Sequence, residues 1–252
     1  MLKKKLLPAG IGVIVAMLGI GLAWPGTGRQ KPPKIVNLTE SFQVVSVEGT
    51  PDHQGLVLQL KNGSNKLITA YSLSLGPDDM MQTDFAPSLS RQGVAPGETE
   101  RVAIPLAGRP LTITIGVIVF EDGSSEGDFE QADEIRDRRT GDRIQLQRIQ
   151  ALMAKALPEP DAIKELRRQI SSLSDVPPYK NHSRGIRSGM NYAKDWTLKM
   201  LERLEAGELD DQLKTAKGYN QRIVLPNGRA RLGLELISEQ MAQKLAKGGP
   251  AK

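Results

Sequence analysis

The amino-acid sequence predicts an α+β protein in which an N-terminal transmembrane helix precedes an antiparallel β-sandwich and an α-helical C-terminal region. Three observations support this prediction: a long uncharged apolar run near the N-terminus, alternating apolar side chains in the first half of the chain, and a change to helical periodicity from Asp128 onward. The predicted segments are a membrane anchor or signal segment at 1–24, a linker at 25–34, the β-sandwich at 35–127 and the helical region at 128–252.

The composition is that of a folded protein without cysteine chemistry. The chain has 252 residues, of which 39% are hydrophobic, and this is enough for one large domain or two modest ones. It contains no cysteine, which excludes disulfides, thiolate metal sites and cysteine nucleophiles. An exported chain without cysteine favours a bacterial source, because extracytoplasmic proteins of animals usually contain disulfides.

The N-terminal segment has the features of a membrane-spanning helix. Lys3, Lys4 and Lys5 precede an uncharged run of 19 residues from Leu6 to Trp24. As a helix this run is about 28 Å long, close to the hydrocarbon thickness of a bilayer. We expect a retained single-span anchor with the N-terminus inside and the rest extracytoplasmic. The alternative is a signal peptide that is cleaved near Ala23, which would make the protein secreted.

Short alternating runs predict the strands. Leu56, Leu58 and Leu60 share one face of a strand that ends at Asn62-Gly63, a dipeptide typical of hairpin turns, so we expect a hairpin with the run KLITAYSLSL that follows. The run from Leu111 to Phe120 is apolar on both faces by its end, which predicts a central strand.

With the run from Phe42 to Val47 and the alternating run of Val102, Ile104 and Leu106, the region contains at least five strands. The segment from Leu56 to Phe120, with its turns KNGSNK and APGE, resembles the small immunoglobulin-like modules of secreted bacterial proteins. This resemblance implies an immunoglobulin-like sandwich and does not imply a function.

Helical periodicity and capping residues predict the C-terminal region. Asp128 and Gln131 have capping-box spacing before a helix that Thr140-Gly141 is expected to interrupt. A second helix follows Asp161. A third begins near Ser188, after a loop, and carries Trp196 on its apolar face. Weaker helical patterns cover 208–218 and 229–247.

Charge is unevenly distributed along the chain. Residues 1–34 carry six basic and no acidic side chains, residues 35–130 carry 5 basic and 13 acidic, and residues 131–252 carry 23 basic and 16 acidic. One interpretation is that the acidic and basic halves dock and neutralise each other. The other is that the basic helices bind lipid head groups, a cell-wall polyanion or an acidic envelope protein. The arginines that suggest this are Arg136, Arg138, Arg139, Arg143 and Arg148.

One segment has the oxygen spacing of a calcium loop. In EDGSSEGDFEQAD, oxygen-bearing side chains alternate around a glycine, as calcium coordination requires. The candidate ligands are Asp122, Ser124, Glu126, Asp128 and Asp133. The alternative is a plain connection in which Asp122-Gly123 turns the chain and Asp128 caps the next helix. Calcium is the one cofactor that the sequence suggests.

No nucleophile, phosphate-loop or metalloprotease motif is present, and His53 and His182 lie in polar loop sequence. We therefore expect a membrane-anchored extracytoplasmic protein that binds or scaffolds another component of the cell envelope rather than an enzyme. The alternative is a secreted or anchored hydrolase with a pair of carboxylates, although nothing in the sequence selects such a pair. Nucleic acid is not an expected partner, because the compartment is wrong.

Overall fold

A computed structural model describes most of the chain after the linker. The described residues are 33–50, 55–76, 79–86, 91–105, 112–156, 162–176, 183–225 and 227–247. The predicted anchor, the linker as far as residue 32, and both histidines lie outside them. Within the described residues, no helix combines the length and the apolar character that a membrane span requires.

The α+β class is confirmed, since sheets and helices are both present. The chain divides into two compact units, each of which is described by itself. One comprises residues 1–83 and 93–131 and is called the strand unit here; the other comprises residues 84–92 and 132–252 and is called the helical unit.

Among the described residues, eight strands are formed, in the order in which the alternating runs occur. They are β1 (Lys34–Asn37), β2 (Phe42–Gly49), β3 (Gly55–Asn62), β4 (Ile68–Ser74), β5 (Met80–Asp84), β6 (Thr99–Pro105), β7 (Thr112–Phe120) and β8 (Ser125–Gly127). One sheet has the order β1-β7-β4-β5, with β8 also paired to β7, and the other has the order β2-β3-β6. The rings of Phe42 and Tyr71, one from each sheet, lie 5.3 Å apart between centroids.

The predicted hairpin between β3 and β4 is wrong. Leu56, Leu58 and Leu60 are fully buried as expected, but β3 pairs with β2 and β6, whereas β4 lies in the other sheet beside β7. The reason lies in Asn62, whose buried side-chain amide donates to the backbone carbonyls of Lys66 and Val94 at 2.8 Å each. These bonds hold the chain where it leaves one sheet for the other, instead of closing a two-residue turn.

The prediction of a wholly antiparallel sandwich also needs correction, because β1 runs parallel to β7. The central position of β7 is confirmed, since it pairs with β1 on one edge and with β4 on the other, and its residues from Ile115 to Phe120 are all buried. A strand that is covered on both faces needs apolar residues at every position, and this explains its unbroken apolar end.

Six helices follow in the part of the chain that the structure describes, and their bounds correct two details. They are α1 (Phe129–Ala156), α2 (Ala162–Ser171), α3 (Arg184–Glu205), α4 (Asp210–Leu213), α5 (Tyr219–Arg222) and α6 (Gly228–Lys247). Helix α3 begins four residues before the predicted start at Ser188, because the side chain of Ser183 caps it by accepting from the backbone N–H of Ile186 at 3.2 Å.

Helix α1 is not interrupted at Thr140-Gly141. The Thr140 hydroxyl donates to the carbonyl of Arg136 at 2.9 Å within the helix. Gly141 is buried where α1 meets α3, and a Cβ there would lie 1.9 Å from the carbonyl oxygen of Ile186. The glycine is therefore explained by a close helix crossing, in which a missing side chain lets two backbones approach.

The helical unit has its own apolar core. Buried side chains from α1, α2, α3 and α6 contact one another there. Leu209, just before the short helix α4, and Leu213, at its end, belong to the same cluster. Trp196 packs partly buried against this cluster, which confirms its predicted place on the apolar face of α3. The core brings three long helices together and so fixes the charged residues that they carry at its edge.

Candidate functional site

Helix α1 carries four charged side chains on adjacent turns. Arg138 and Asp142 are four residues apart, and so are Arg139 and Arg143, so each pair lies on one side of the helix. All four line a pocket in the helical unit that has a volume of about 410 Å³, including the part open to solvent. The pocket is therefore built on a rigid element.

Three other segments complete the pocket. Asp84 and Lys244 bring its charged set to four basic and two acidic side chains, a surplus of two positive charges when all are ionised. The remaining wall is formed by Ala86, Leu146, Tyr192 and Leu245. Such a combination of apolar walls and a few charged groups is typical of a small-ligand site.

Asp84 is held by two guanidinium groups. Its side chain is only 5% exposed, and it accepts from Nη2 of Arg139 at 2.8 Å and from Nε of Arg139 at 3.2 Å. Arg138 Nη2 lies 3.4 Å from its other oxygen. This carboxylate therefore holds the two arginines in place, and it is not available as a free base.

Lys244 is the least expected residue of the site. It is 4% exposed, and its Nζ lies 4.4 Å from the ring centroid of Trp196 and 5.2 Å from that of Tyr192. Among the described residues, no carboxylate lies within 4.0 Å of this ammonium. Burial lowers the pKa of Lys244, while the negative charges of Asp142 and Asp84 oppose that change.

Asp142 is the acidic counterpart of this lysine. Burial raises the pKa of its carboxyl from the ordinary value of 3.8 to about 6, and the positive charge of Lys244 opposes this shift. Its Oδ1 is buried and has no hydrogen-bond partner among the described residues, and the same is true of Nε2 of Gln145, three residues further along α1. Burial, followed by the charge of Asp142, also raises the pKa of Tyr192.

Buried polar atoms of this kind are rare in folded proteins, because each forfeits its bonds to water. The pocket thus combines a buried cation whose described neighbours are aromatic rings with a buried carboxylate oxygen that accepts nothing from the described residues. A ligand with an acceptor and a donor would satisfy both groups. Chemically, the arrangement suits binding of an anion better than catalysis, since its second carboxylate is neutralised by arginine.

The sequence pointed to part of this site. Three of the five arginines that suggested a basic surface, Arg138, Arg139 and Arg143, line the pocket. The other two lie elsewhere: Arg136 pairs with Asp133 at 2.7 Å, and Arg148 donates to the side-chain carbonyl of Gln145 at 3.3 Å.

Sequence reasoning missed Asp84, Asp142, Tyr192 and Lys244. One signal was available, because Lys244 follows Ile237 and Met241 at helical spacing and therefore interrupts an apolar stripe with a charge. Asp84 had no such signal, since its partners lie more than 50 residues away in the chain.

The candidate calcium ligands have protein partners in the structure. Asp122 pairs with Lys66 at 2.7 Å, and this bond holds the pKa of Asp122 well below its ordinary range. Glu126 accepts from the backbone N–H of Glu40 and Ser41 and from the Ser41 hydroxyl at 2.6 Å. These residues join separate parts of the strand unit.

The remaining candidates also have local roles. The Ser124 hydroxyl donates to Asp122, Asp128 caps α1 by accepting from the N–H of Glu130 at 2.9 Å, and Asp133 pairs with Arg136. Within the described ranges, no three His, Cys, Asp or Glu side chains are grouped so that they could hold a metal ion. The calcium site stays a prediction, while the capped connection accounts for each residue.

Fold and pocket define a class: a mixed α+β protein with a small pocket in its helical unit that is lined mainly by basic side chains. Comparisons with protein-family models, with curated proteins and with solved structures gave no match. The function is therefore argued from the site alone.

Proposed function

We propose that this chain is a membrane-anchored, extracytoplasmic protein of the cell envelope, and that it acts as a binding or scaffolding module rather than as an enzyme. In this proposal the helical unit contacts an anionic envelope component through the pocket lined by Lys244 and Arg143. The lysine-flanked apolar run at the N-terminus is the anchor, and the two sheets form an immunoglobulin-like sandwich.

The single observation that carries the binding function is the environment of Lys244. Placing an ammonium group where it is 4% exposed is unfavourable unless an anion or another strong partner compensates. Contacts with Trp196 and Tyr192 compensate in part, and each such contact contributes about 0.5–2 kcal/mol. An anion that binds beside Lys244 would supply the remaining compensation, and this explains why basic side chains line the pocket.

The membrane part of the proposal is tested with a reporter fused after Lys252. The full chain is compared with a variant that lacks residues 2–24, by membrane fractionation and by reporter activity on each side of the membrane. The full chain is expected in the membrane fraction with an outside reporter, and the deletion is expected to lose both. A full chain that stays in the soluble cytosolic fraction would refute the anchor.

Binding is tested with a photo-crosslinking amino acid at Tyr192, which lines the pocket and is 46% exposed. The full chain in its own membranes should give an adduct that Lys244→Glu removes and Lys247→Glu preserves, because Lys247 is exposed on the same helix and does not line the pocket. A crosslinker at Val224, which is 78% exposed elsewhere on the helical unit, is the second control. The same yield of adduct from the full chain and from Lys244→Glu would contradict the proposal.

A carboxylate-dependent hydrolase is the second candidate, and one observation favours it. Asp84 and Asp142 line the same pocket, and Asp142, with a pKa of about 6, would suit a general acid. The two guanidinium groups on Asp84 weigh against it, because the second carboxylate needs to act as a base or nucleophile. Turnover of chromogenic glycosides or esters by the full chain, abolished by Asp142→Asn, would establish the hydrolase and displace the binding module.

A further inference from the structure

We propose that the pocket of the helical unit binds a phosphorylated polyol: Lys244 and Arg143 contact the phosphate, and Asp142 accepts a hydrogen bond from a neighbouring hydroxyl. This inference rests on the proposed binding function and names the chemistry of its ligand. It follows from the two buried groups, the charge of the pocket and the nature of its walls.

The two buried groups require a ligand that carries both a negatively charged acceptor and a hydrogen-bond donor. Lys244 is a donor only, so its partner has to be an acceptor, and a negative one because the ammonium is buried. Oδ1 of Asp142 is an acceptor that receives no hydrogen bond from the described residues, so its partner has to be a donor. Both residues line one pocket, so one small molecule can serve both.

The charge of the pocket favours a phosphate over a carboxylate. Four basic and two acidic side chains line the pocket, so its lining carries a surplus of two positive charges when all six are ionised. A phosphate monoester carries about −1.5 to −2 at neutral pH, whereas a carboxylate carries only one negative charge.

The walls suit a short carbon chain. Leu146, Leu245 and Tyr192 offer apolar surface beside the charged groups, and the whole space of about 410 Å³ includes the part open to solvent. The enclosed part of this space is small, so the pocket admits a small polar group whose remainder reaches solvent and excludes a large cofactor. A glycerol phosphate group has the required acceptor and donor.

The test uses the fluorescence of Trp196, which lies under the Lys244 ammonium. The chain has two tryptophans, so Trp24→Phe in the full chain, held in an uncharged detergent, leaves Trp196 as the only one. Glycerol phosphate should give a saturable change in emission. Inorganic phosphate should bind about tenfold more weakly because it lacks an alcohol hydroxyl that can bond Asp142 while the phosphate contacts Lys244. Glycerol alone should give no change.

Two variants separate the contacts. Lys244→Met keeps the length of the side chain and should weaken glycerol phosphate at least about tenfold, while Lys247→Met on the same helix should leave it unchanged. Asp142→Ala should remove the preference for glycerol phosphate over inorganic phosphate, since no acceptor is left at this position for the hydroxyl and the repulsion of phosphate disappears. Melting curves confirm that each variant is folded, and Lys244→Arg, which keeps the charge, should retain binding if the methionine variant does not fold.

Competition between glycerol phosphate and lipid vesicles identifies the source of the ligand. Displacement of glycerol phosphate by vesicles that contain phosphatidylinositol phosphate, whose head group carries a phosphate monoester beside free hydroxyls, but not by phosphatidylcholine vesicles, would support the same chemistry on a lipid head group. No displacement by either would support a soluble ligand. Unchanged binding in Lys244→Met, or no saturable signal with glycerol phosphate, would overturn this inference. If the Tyr192 crosslinks still depended on Lys244 in that case, the broader binding function would stand and only the ligand class would fail.

Discussion

At the scale of single residues, Asp142 makes stability depend on pH. Its carboxyl has a pKa of about 6 in the folded chain against 3.8 ordinarily, so the folded state holds the proton more tightly. The contribution of Asp142 to stability is therefore greatest below about pH 4 and is lost as pH rises through about 6, by at most about 3 kcal/mol.

The measurement is urea unfolding of the full chain and of Asp142→Asn from about pH 4 to about pH 7. We expect the difference in unfolding free energy, wild type minus variant, to fall over this range and to stay constant above it. Asp195→Asn, an exposed carboxylate on α3, is the matched control and should show no such fall. A pH-independent difference for Asp142→Asn would show that this carboxyl is not strained by burial.

Asp84 stabilises the folded chain, because its carboxylate neutralises the guanidinium groups of Arg138 and Arg139. Replacing it by alanine leaves the half-buried guanidinium groups of Arg138 and Arg139 without their carboxylate, which should cost about 3 kcal/mol of unfolding free energy. Asp133→Ala removes the exposed pair with Arg136 and should cost less than about 0.5 kcal/mol. Chemical denaturation gives both values, and equal costs would mean that the Asp84 cluster is no stronger than a surface pair.

At the scale of elements, the crossing of α1 and α3 positions the pocket. A Cβ at Gly189 would lie 1.8 Å from the carbonyl oxygen of Arg138 and 2.7 Å from the backbone nitrogen of Asp142. Both atoms belong to the backbone of α1, next to the charged side chains. The glycine therefore sets how closely the two helices approach, and with it the place of the charges.

Gly189→Ala should destabilise the chain by about 2 kcal/mol, although alanine is the better helix former by about 1 kcal/mol. It should also weaken ligand binding, because the segment that moves carries Arg138 and Asp142. Thermal and urea unfolding measure the first effect, and Trp196 fluorescence measures the second. Ser188→Ala, at the exposed neighbouring position, is the control and should be neutral or slightly stabilising. A stabilised Gly189→Ala protein would contradict the close crossing.

The connection from β3 to β4 shows what local patterns miss. Asn62-Gly63 matches a hairpin turn in sequence, but the partner that decides the outcome is the carbonyl of Val94, 32 residues away. Asn62→Ala removes both amide bonds of a fully buried side chain and should cost about 2–3 kcal/mol in urea unfolding, whereas Asn65→Ala, which is exposed in the same turn, should be nearly neutral. Similar costs for the two variants would refute this role of Asn62.

Hydrophobic periodicity and capping residues predicted most strands and helices, because both signals depend only on residues that are close together in the chain. The alternation of Leu56, Leu58 and Leu60 and the cap at Asp128 depend on neighbours within a few residues, and both are confirmed. The early start of α3, which Ser183 caps, was missed because serine is also common in loops and does not by itself mark a helix start. Which strands pair was not visible, since pairing depends on burial across the whole unit.

At the scale of the whole molecule, the sequence predicted the class and the basic character of the second half but not the pocket. The pocket combines residues near positions 84, 142, 192 and 244, so no window of sequence contains it. The packing of α1, α3 and α6 on one core brings the last three together, and the ion pairs of Asp84 with Arg138 and Arg139 hold the first. The net charge of a segment thus predicts what kind of ligand is attracted, and the tertiary packing decides where it binds.

This dependence on packing leads to a prediction for the whole chain. A ligand that binds only the folded pocket stabilises it by about 2.7 kcal/mol at a hundredfold excess over its dissociation constant. We expect glycerol phosphate to raise the melting temperature of the full chain and to slow hydrogen exchange in α1, α3 and α6, the helices that carry Asp142, Tyr192 and Lys244. Lys244→Met without ligand should be at least as stable as the wild type, because a buried charge has been replaced by an apolar side chain of similar length. It should then gain nothing from the ligand. A methionine variant that is less stable, yet still stabilised by glycerol phosphate, would mean that Lys244 supports the fold and that the ligand binds elsewhere.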